Sequence, residues 1–256
     1  MTILRRIYSN ILIKSELPEQ FFGGVKGKSP YKNALVHAGA LQIMKIDLKR
    51  CFQNITHHQV FNVWHKHLKC SPTVSHIATR LTTYHGHLPT GAPTSTTLAN
   101  LVVLPAVNAV TQIAKGAGLK NSQFIDDSNI SGDVIEDDLS LQMRKEFTRR
   151  RLSINRKKTK LLKSNVGVVV TGFSSKKELP RLPKKVRKQI RTELHQLKRL
   201  GHSDPSFKSA RNRVRGKLEQ LKVPHPVLYK KSKELFTKTT RRNKRERNLH
   251  DQITKT

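Results

Sequence analysis

The apolar positions of the chain change period several times, and each change marks an expected element. From Ile3 to Ile13 they recur at roughly helical spacing. Pro18 ends that pattern, and Gly23–Ser29 is a Gly-rich, basic loop. A helix is expected from about Asn33 to Ala40. Leu41 to Asp47 then alternates apolar and polar residues, as a strand with one buried face does, and it ends on an acid. Residues 57–84 read as mostly helical, Leu88–Pro93 as a Pro/Gly loop and Thr94–Ile113 as a buried helix. Ser122–Ser131 is apolar at Phe124, Ile125 and Ile130 and is broken at its centre by Asp126-Asp127. That pattern predicts two short strands meeting at an acidic turn. Glu136-Asp137-Asp138 precedes an amphipathic run from Leu139 to Arg150, where acids favour a helix N-terminus through its dipole. Val166–Thr171 is β-rich, and beyond Pro183 come helical stretches separated by Gly201, Pro205, Pro224 and Pro226.

Composition changes this picture in two places. Residues 181–256 hold 24 of the 50 Lys+Arg and only 6 of the 17 Asp+Glu, which makes the last part of the chain a basic helical region, with the stretch from Lys238 expected to be partly disordered. The formal net charge of +33 repels itself unless a polyanion lies against the protein, and a phosphate backbone is the expected partner. The 36% hydrophobic content is enough for a folded core. Cys51 and Cys70 fit no metal-finger spacing and suggest reduced thiols, although a single bridge is open. No apolar run is read as long enough to span a membrane, so a cytoplasmic protein is expected. The paired histidines, such as His57-His58 and His85-x-His87, lack a second ligand pair for zinc.

The acids carry the candidate chemistry. Two adjacent carboxylates in a turn beside apolar residues repel each other and are desolvated, a cost that a cation between them removes. Hard divalent ions take oxygen ligands, and a pair about 4 Å apart can activate a hydroxyl and stabilise a leaving pyrophosphate. Asp47 at a strand end and Asp126-Asp127 at a hairpin tip supply three such carboxylates. Each alone is weak evidence, because a lone strand-end Asp is more often a cap or turn former.

The segments around the acids resemble the ordered motifs of reverse transcriptases. Lys45–Phe52 is similar to polymerase motif A, Leu88–Ser95 to motif B, Phe124–Asp127 to motif C and Arg151–Thr159 to motif D. Asn33-Ala34-Leu35-Val36-His37 resembles the Asn-Ala-x-x-His element, and Val170-Thr171-Gly172 the Val-Thr-Gly triplet, of bacterial retron-type enzymes. The resemblance extends through Gly24–Ser29 to Arg213–Leu218.

It implies an α+β right-hand polymerase fold, with an antiparallel palm sheet backed by helices, shortened fingers and a basic helical thumb. Residues 1–175 would form fingers and palm, and 176–256 the thumb. The implied activity is RNA-directed DNA polymerisation, copying part of a bound structured non-coding RNA that also serves as primer. Two Mg2+ ions would be held by Asp47, Asp126, Asp127 and the Leu48 carbonyl. Lys158 would act on the pyrophosphate, Phe52 would be the steric gate against a ribose 2′-hydroxyl, and Gly91 and Ala92 would admit the nascent base pair. Lys26 and Lys28 would grip template or triphosphate. Asn33, His37, Thr171, Gly172, Arg213 and Arg215 would contact RNA. Further partners would be deoxynucleotides, the RNA/DNA hybrid and an accessory effector, with a biological role in anti-phage defence. The chain departs from the family pattern at Thr90, where glutamine is usual, and at Thr96, where proline is common. A group II intron-like or other defence-associated enzyme is the alternative within the class, and an RNA-binding protein on a polymerase scaffold the alternative outside it.

Overall fold

The computed structural model of the chain describes residues 2–163, 168–175, 178–200 and 204–253, with side chains to Arg241. It separates into two compact units, Met1–Thr171 with Ser175–Glu178, and Gly172–Ser174 with Leu179–Thr256. The expected division at 175/176 falls within this exchange of short segments.

In the first unit, α1 (Thr2–Asn10) is followed by a 3-10 turn, Leu12–Lys14, whose Leu12 is buried. Helix α2 (Pro30–Val36) starts and ends earlier than its apolar spacing suggested. Ser29 Oγ accepts the Lys32 N–H at 3.1 Å and Pro30 occupies the first turn, where its missing N–H costs nothing. Strand β1 (Gln42–Asp47) leads into α3 (Cys51–Asn54) and α4 (His57–Asn62), the latter capped reciprocally by Thr56 and Gln59. A π turn, Val63–His67, precedes α5 (Pro72–Thr82), and α6 (Ser95–Gly116) is the core helix. Then come β2 (Lys120–Phe124), β3 (Asp127–Gly132), α7 (Asp137–Arg149), β4 (Lys160–Lys163) and β5 (Val169–Val170). Residues 166 and 167 of the expected β-rich run lie outside the described residues.

Four strands form an antiparallel sheet in the order β2-β3-β1-β4. The pairing of Met44 with Ile130 and of Ile46 with Ser128 turns Met44, Ile46 and Ile130 to one face, where they join Leu98, Val103, Val107 and Phe147 in the core. The alternate residues, among them Asp47, Lys45, Asp127, Asn129 and Ser131, share the other face. A strand register slipped by one residue would send the acids into the core.

Among the described residues, α6 is the one helix that by length and composition is apolar enough to cross a membrane. Within the unit it is a core element, with Leu98, Leu101, Val103, Val107 and Val110 buried. Leu98→Ala would cost about 2–5 kcal/mol.

The second unit holds β6 (Phe173–Ser174), α8 (Lys184–Arg199), α9 (Phe207–Glu219) and α10 (Pro226–Ile253). Ile190, Leu194 and Leu197 of α8 and Phe207, Val214 and Leu218 of α9 are its buried residues at helical spacing. Glu193 takes Lys217 at 2.5 Å and Arg213 at 3.9 Å. Helix α10 runs through the segment whose charge suggested disorder, because Lys, Arg and Glu are good helix formers when exposed.

Candidate active site

The end of β1 is tied on both sides. The Leu48 N–H donates to the Asp126 carbonyl at 2.8 Å, and the Asn155 N–H donates to the Asp47 carbonyl at 2.8 Å. The Asp47 N–H reaches Thr159 Oγ1 at 3.4 Å. Asp47 and Asp127 are direct cross-strand partners, so their side chains leave the same face of the sheet, and Asp126 precedes Asp127 in the turn. No other Asp or Glu occurs between Asp47 and Asp126 in the sequence.

The turn itself is strained. Ile125, a β-branched residue, has φ +57°. Gln123 Nε2 donates to the Ile125 carbonyl at 2.8 Å, and the Phe22 N–H donates to the Gln123 carbonyl at 2.8 Å. Gly23 packs against the turn so closely that a Cβ there would lie 2.5 Å from Ile125 Cγ1, and Asn100 Nδ2 holds the Gly23 carbonyl at 2.8 Å. Part of the Gly-rich loop is therefore a clamp on the acidic turn, and glycine is required at its closest approach.

The electrostatics follow from this crowding. Burial raises the Asp126 carboxyl above its ordinary range, and the charge of Asp47 adds to that. Burial likewise raises Asp127; Asp126 and Asp47 add to it, while Lys45 and Lys158 oppose it. Lys158 Nζ donates to Asp47 Oδ2 at 3.2 Å, and that bond and charge raise the lysine's pKa. An ammonium thus stands beside carboxylates that resist ionising together. Among the described residues, no three His, Cys, Asp or Glu side chains converge tightly enough to chelate one ion in this conformation. The donor set still fits a hard divalent cation: opposed oxygen donors, mutual repulsion, and a cationic side chain already drawn to one of them.

The nearby positions differ in what holds them. Phe52 is half-buried against the core in α3, and its carbonyl accepts the Leu88 N–H at 3.2 Å, which joins the motif A and motif B segments. Gly91 has φ +85° and nothing within 4 Å of where a Cβ would stand. Its neighbour Ala92 lies in a loop fixed by Ser95 Oγ donating to the Pro89 carbonyl at 2.6 Å. Cys51, a free thiol, has its pKa pushed up to about 12 by burial first and then by Asp126 and Asp47. Lys45, two residues before Asp47, and Thr159 escaped the sequence reading. The period of two along the strand put Lys45 on the acids' face, whereas only tertiary pairing reveals Thr159.

Lys28, expected to grip template or triphosphate, has its Nζ 4.6 Å from the Phe22 ring centre and donating to the Glu19 carbonyl at 2.9 Å. It lines a cavity with Lys115, Lys120 and Asn121, at the end of β2 remote from the acidic turn. Asn33 and His37 are fully buried, so neither offers a surface to RNA. His37 instead bridges two strands, with Nδ1 2.7 Å from Ser131 Oγ and Nε2 2.7 Å from Ser122 Oγ. Burial, and then the charge of Lys120, lower its pKa to about 3. Asn33 Nδ2 reaches Thr171 Oγ1 at 3.4 Å, and Thr171 Oγ1 donates to the Pro30 carbonyl at 2.7 Å. The Asn-Ala-x-x-His and Val-Thr-Gly elements therefore meet each other. Gly172, Arg213 and Arg215 are exposed.

Comparison with known proteins gives the same direction. Residues 1–203 match the family model described as reverse transcriptase (RNA-dependent DNA polymerase). The chain is 28% identical over 233 residues to the retron Se72 reverse transcriptase of Salmonella heidelberg (strain 579083-10), covering 86% of this chain and 61% of that protein. It is 29% identical over 193 residues to the retron Ec86 reverse transcriptase of Escherichia coli, covering 75% and 60%. The chain thus spans less than two thirds of either relative. Among solved structures it is similar to telomerase from Candida albicans in complex with a fragment of telomeric RNA, at TM-score 0.51 and 10% identity over 93% of this chain and 47% of that one. Apo telomerase from Candida tropicalis gives 0.50 and 11% over 71% and 45%. These likenesses show the fold, a right-hand polymerase fold of helices and antiparallel sheet.

Proposed function

The chain belongs to the reverse transcriptase (RNA-dependent DNA polymerase) family, and on that premise we propose that it is the polymerase part of a retron-type enzyme. It copies a stretch of a bound structured non-coding RNA into single-stranded DNA. The observation that carries this reading is the opposition of Asp47 and Asp127 across β1 and β3, with Asp126 beside them in a clamped turn. Asp47, Asp126, Asp127 and the Leu48 carbonyl would hold two Mg2+ ions, which when bound neutralise the carboxylates and activate a primer hydroxyl.

The chain's own residues do the rest. Lys158 holds a proton at Nζ beside the acids and can give it to the departing pyrophosphate. The Phe52 ring excludes a ribose 2′-hydroxyl, and the open space over Gly91, with the small side chain of Ala92, leaves the template–nucleotide pair room against the backbone. Arg213, Arg215 and Gly172 face phosphate on the RNA or the RNA/DNA hybrid. Asn33, His37 and Thr171 act indirectly, by fixing the loops that RNA meets. The product would serve anti-phage defence together with an effector protein, in the cytoplasm.

Recovery and sequencing of the nucleic acid that co-purifies with the protein tests the retron reading. A single structured RNA joined to a short DNA complementary to part of it is the expected result. Heterogeneous cellular RNA without attached DNA would sink the retron assignment.

A further inference from the structure

Helix α7 buries Ser140, Met143 and Phe147 and turns Leu141, Arg144, Lys145 and Thr148 outward, at the i, i+3, i+4, i+7 spacing of one stripe. With Ile154, Arg156 and Thr159 of the segment before β4 this stripe lines a cavity of about 380 Å³. Three of the lining residues, Arg144, Lys145 and Arg156, are cationic, and none is acidic. The nearest acid along the helix, Glu146, is engaged elsewhere, by Arg149 at 2.9 Å and Arg150 at 2.5 Å. Arg144 is oriented by its Nε, which donates to the Ser140 carbonyl at 3.1 Å, so its terminal nitrogens remain for a ligand.

We propose that this cavity is a binding site for a phosphoryl anion, carried either by a nucleic-acid backbone or by free pyrophosphate. Two guanidinium forks and an ammonium suit a compact, multiply charged group with several oxygens better than a single carboxylate. Leu141, 44% exposed, and Ile154 form an apolar surface beside the cations, of the kind a sugar or base edge covers. The segment from Ile154 to Thr159 also holds Asp47, through Asn155 N–H at 2.8 Å, Thr159 Oγ1 at 3.4 Å and Lys158 Nζ at 3.2 Å. An anion bridging α7 to that segment therefore stiffens the support of the first acid. The site itself does not depend on the polymerase reading.

Amide NMR of the full chain, without metal ions, tests the proposal. Pyrophosphate and, separately, a short single-stranded RNA are titrated while the amides of Thr148, Ile154 and Thr159 are followed. Saturable shifts are expected with one or both probes. Saturation by pyrophosphate identifies the free anion as a ligand, and saturation by RNA alone identifies the backbone. Arg144→Gln/Lys145→Gln, on the exposed face, should weaken binding about tenfold or more, as loss of charged hydrogen bonds does. Lys69→Gln/Lys115→Gln, an equal charge change elsewhere, should leave it unaltered. Absence of saturable shifts at these amides, or equal weakening in both variants through the general charge of +33, overturns the proposal.

Discussion

Acidification should unfold this protein partly through one residue, His37. Its imidazole is fully buried between α2 and the sheet, bonded to Ser122 and Ser131, and its pKa is lowered to about 3 from an ordinary 6.5. Between those values the unfolded chain binds a proton that the folded chain refuses, so stability rises with pH in that window and is lost as pH falls through it. The slope is at most about 1.4 kcal/mol per pH unit. From pH 7.5 to 5 the loss is therefore about 2 kcal/mol, and by pH 3 it reaches about 4 kcal/mol. Urea unfolding at a series of pH values, on wild type and His37→Gln, measures it. Glutamine keeps a donor and an acceptor for the two hydroxyls but does not titrate. The variant should be less stable at pH 7.5, and the difference should shrink by about 2 kcal/mol on going to pH 5. Parallel stability curves would refute the burial argument, since every other titrating group is common to both proteins.

Other perturbations reach the site more directly. Phe52→Ala should raise ribonucleotide incorporation relative to deoxynucleotide incorporation; unchanged selectivity in single-turnover assays would remove the gate assignment. Lys158→Met should slow turnover yet tighten Mn2+ binding, by up to about fivefold, because an exposed ion pair no longer competes for Asp47. Calorimetric titration with Mn2+ checks the second half, and weaker binding would contradict it. Arg213→Gln/Arg215→Gln should lower the slope of log affinity for RNA against log salt by about 1.4–1.8. An unaltered slope would mean that neither side chain meets phosphate.

Much of this architecture was legible in the sequence because its signals are local. The alternation before Asp47, the apolar run of α6 and the acidic break at Asp126-Asp127 each report an element from their own residues. The site was legible only as separate segments, since nothing in a single strand states that Asp47 opposes Asp127 rather than Ser128. Spacing also leaves open which way a face turns. Asn33 and His37, four residues apart, share a face, and whether that face met RNA or the sheet depended on two serines far along the chain.

The central claim is that Asp47, Asp126 and Asp127 form a cation-dependent centre for DNA synthesis. Extension of an RNA-templated primer with Mg2+ and deoxynucleotides, by wild type and by Asp126→Asn/Asp127→Asn, tests it most directly. RNA affinity and melting temperature, measured alongside, show that the variant is folded. Wild type should make DNA that chelation of Mg2+ abolishes, and the variant should bind RNA equally well and make none. Equal product from both proteins, or none from wild type on RNA that it binds, would contradict the claim.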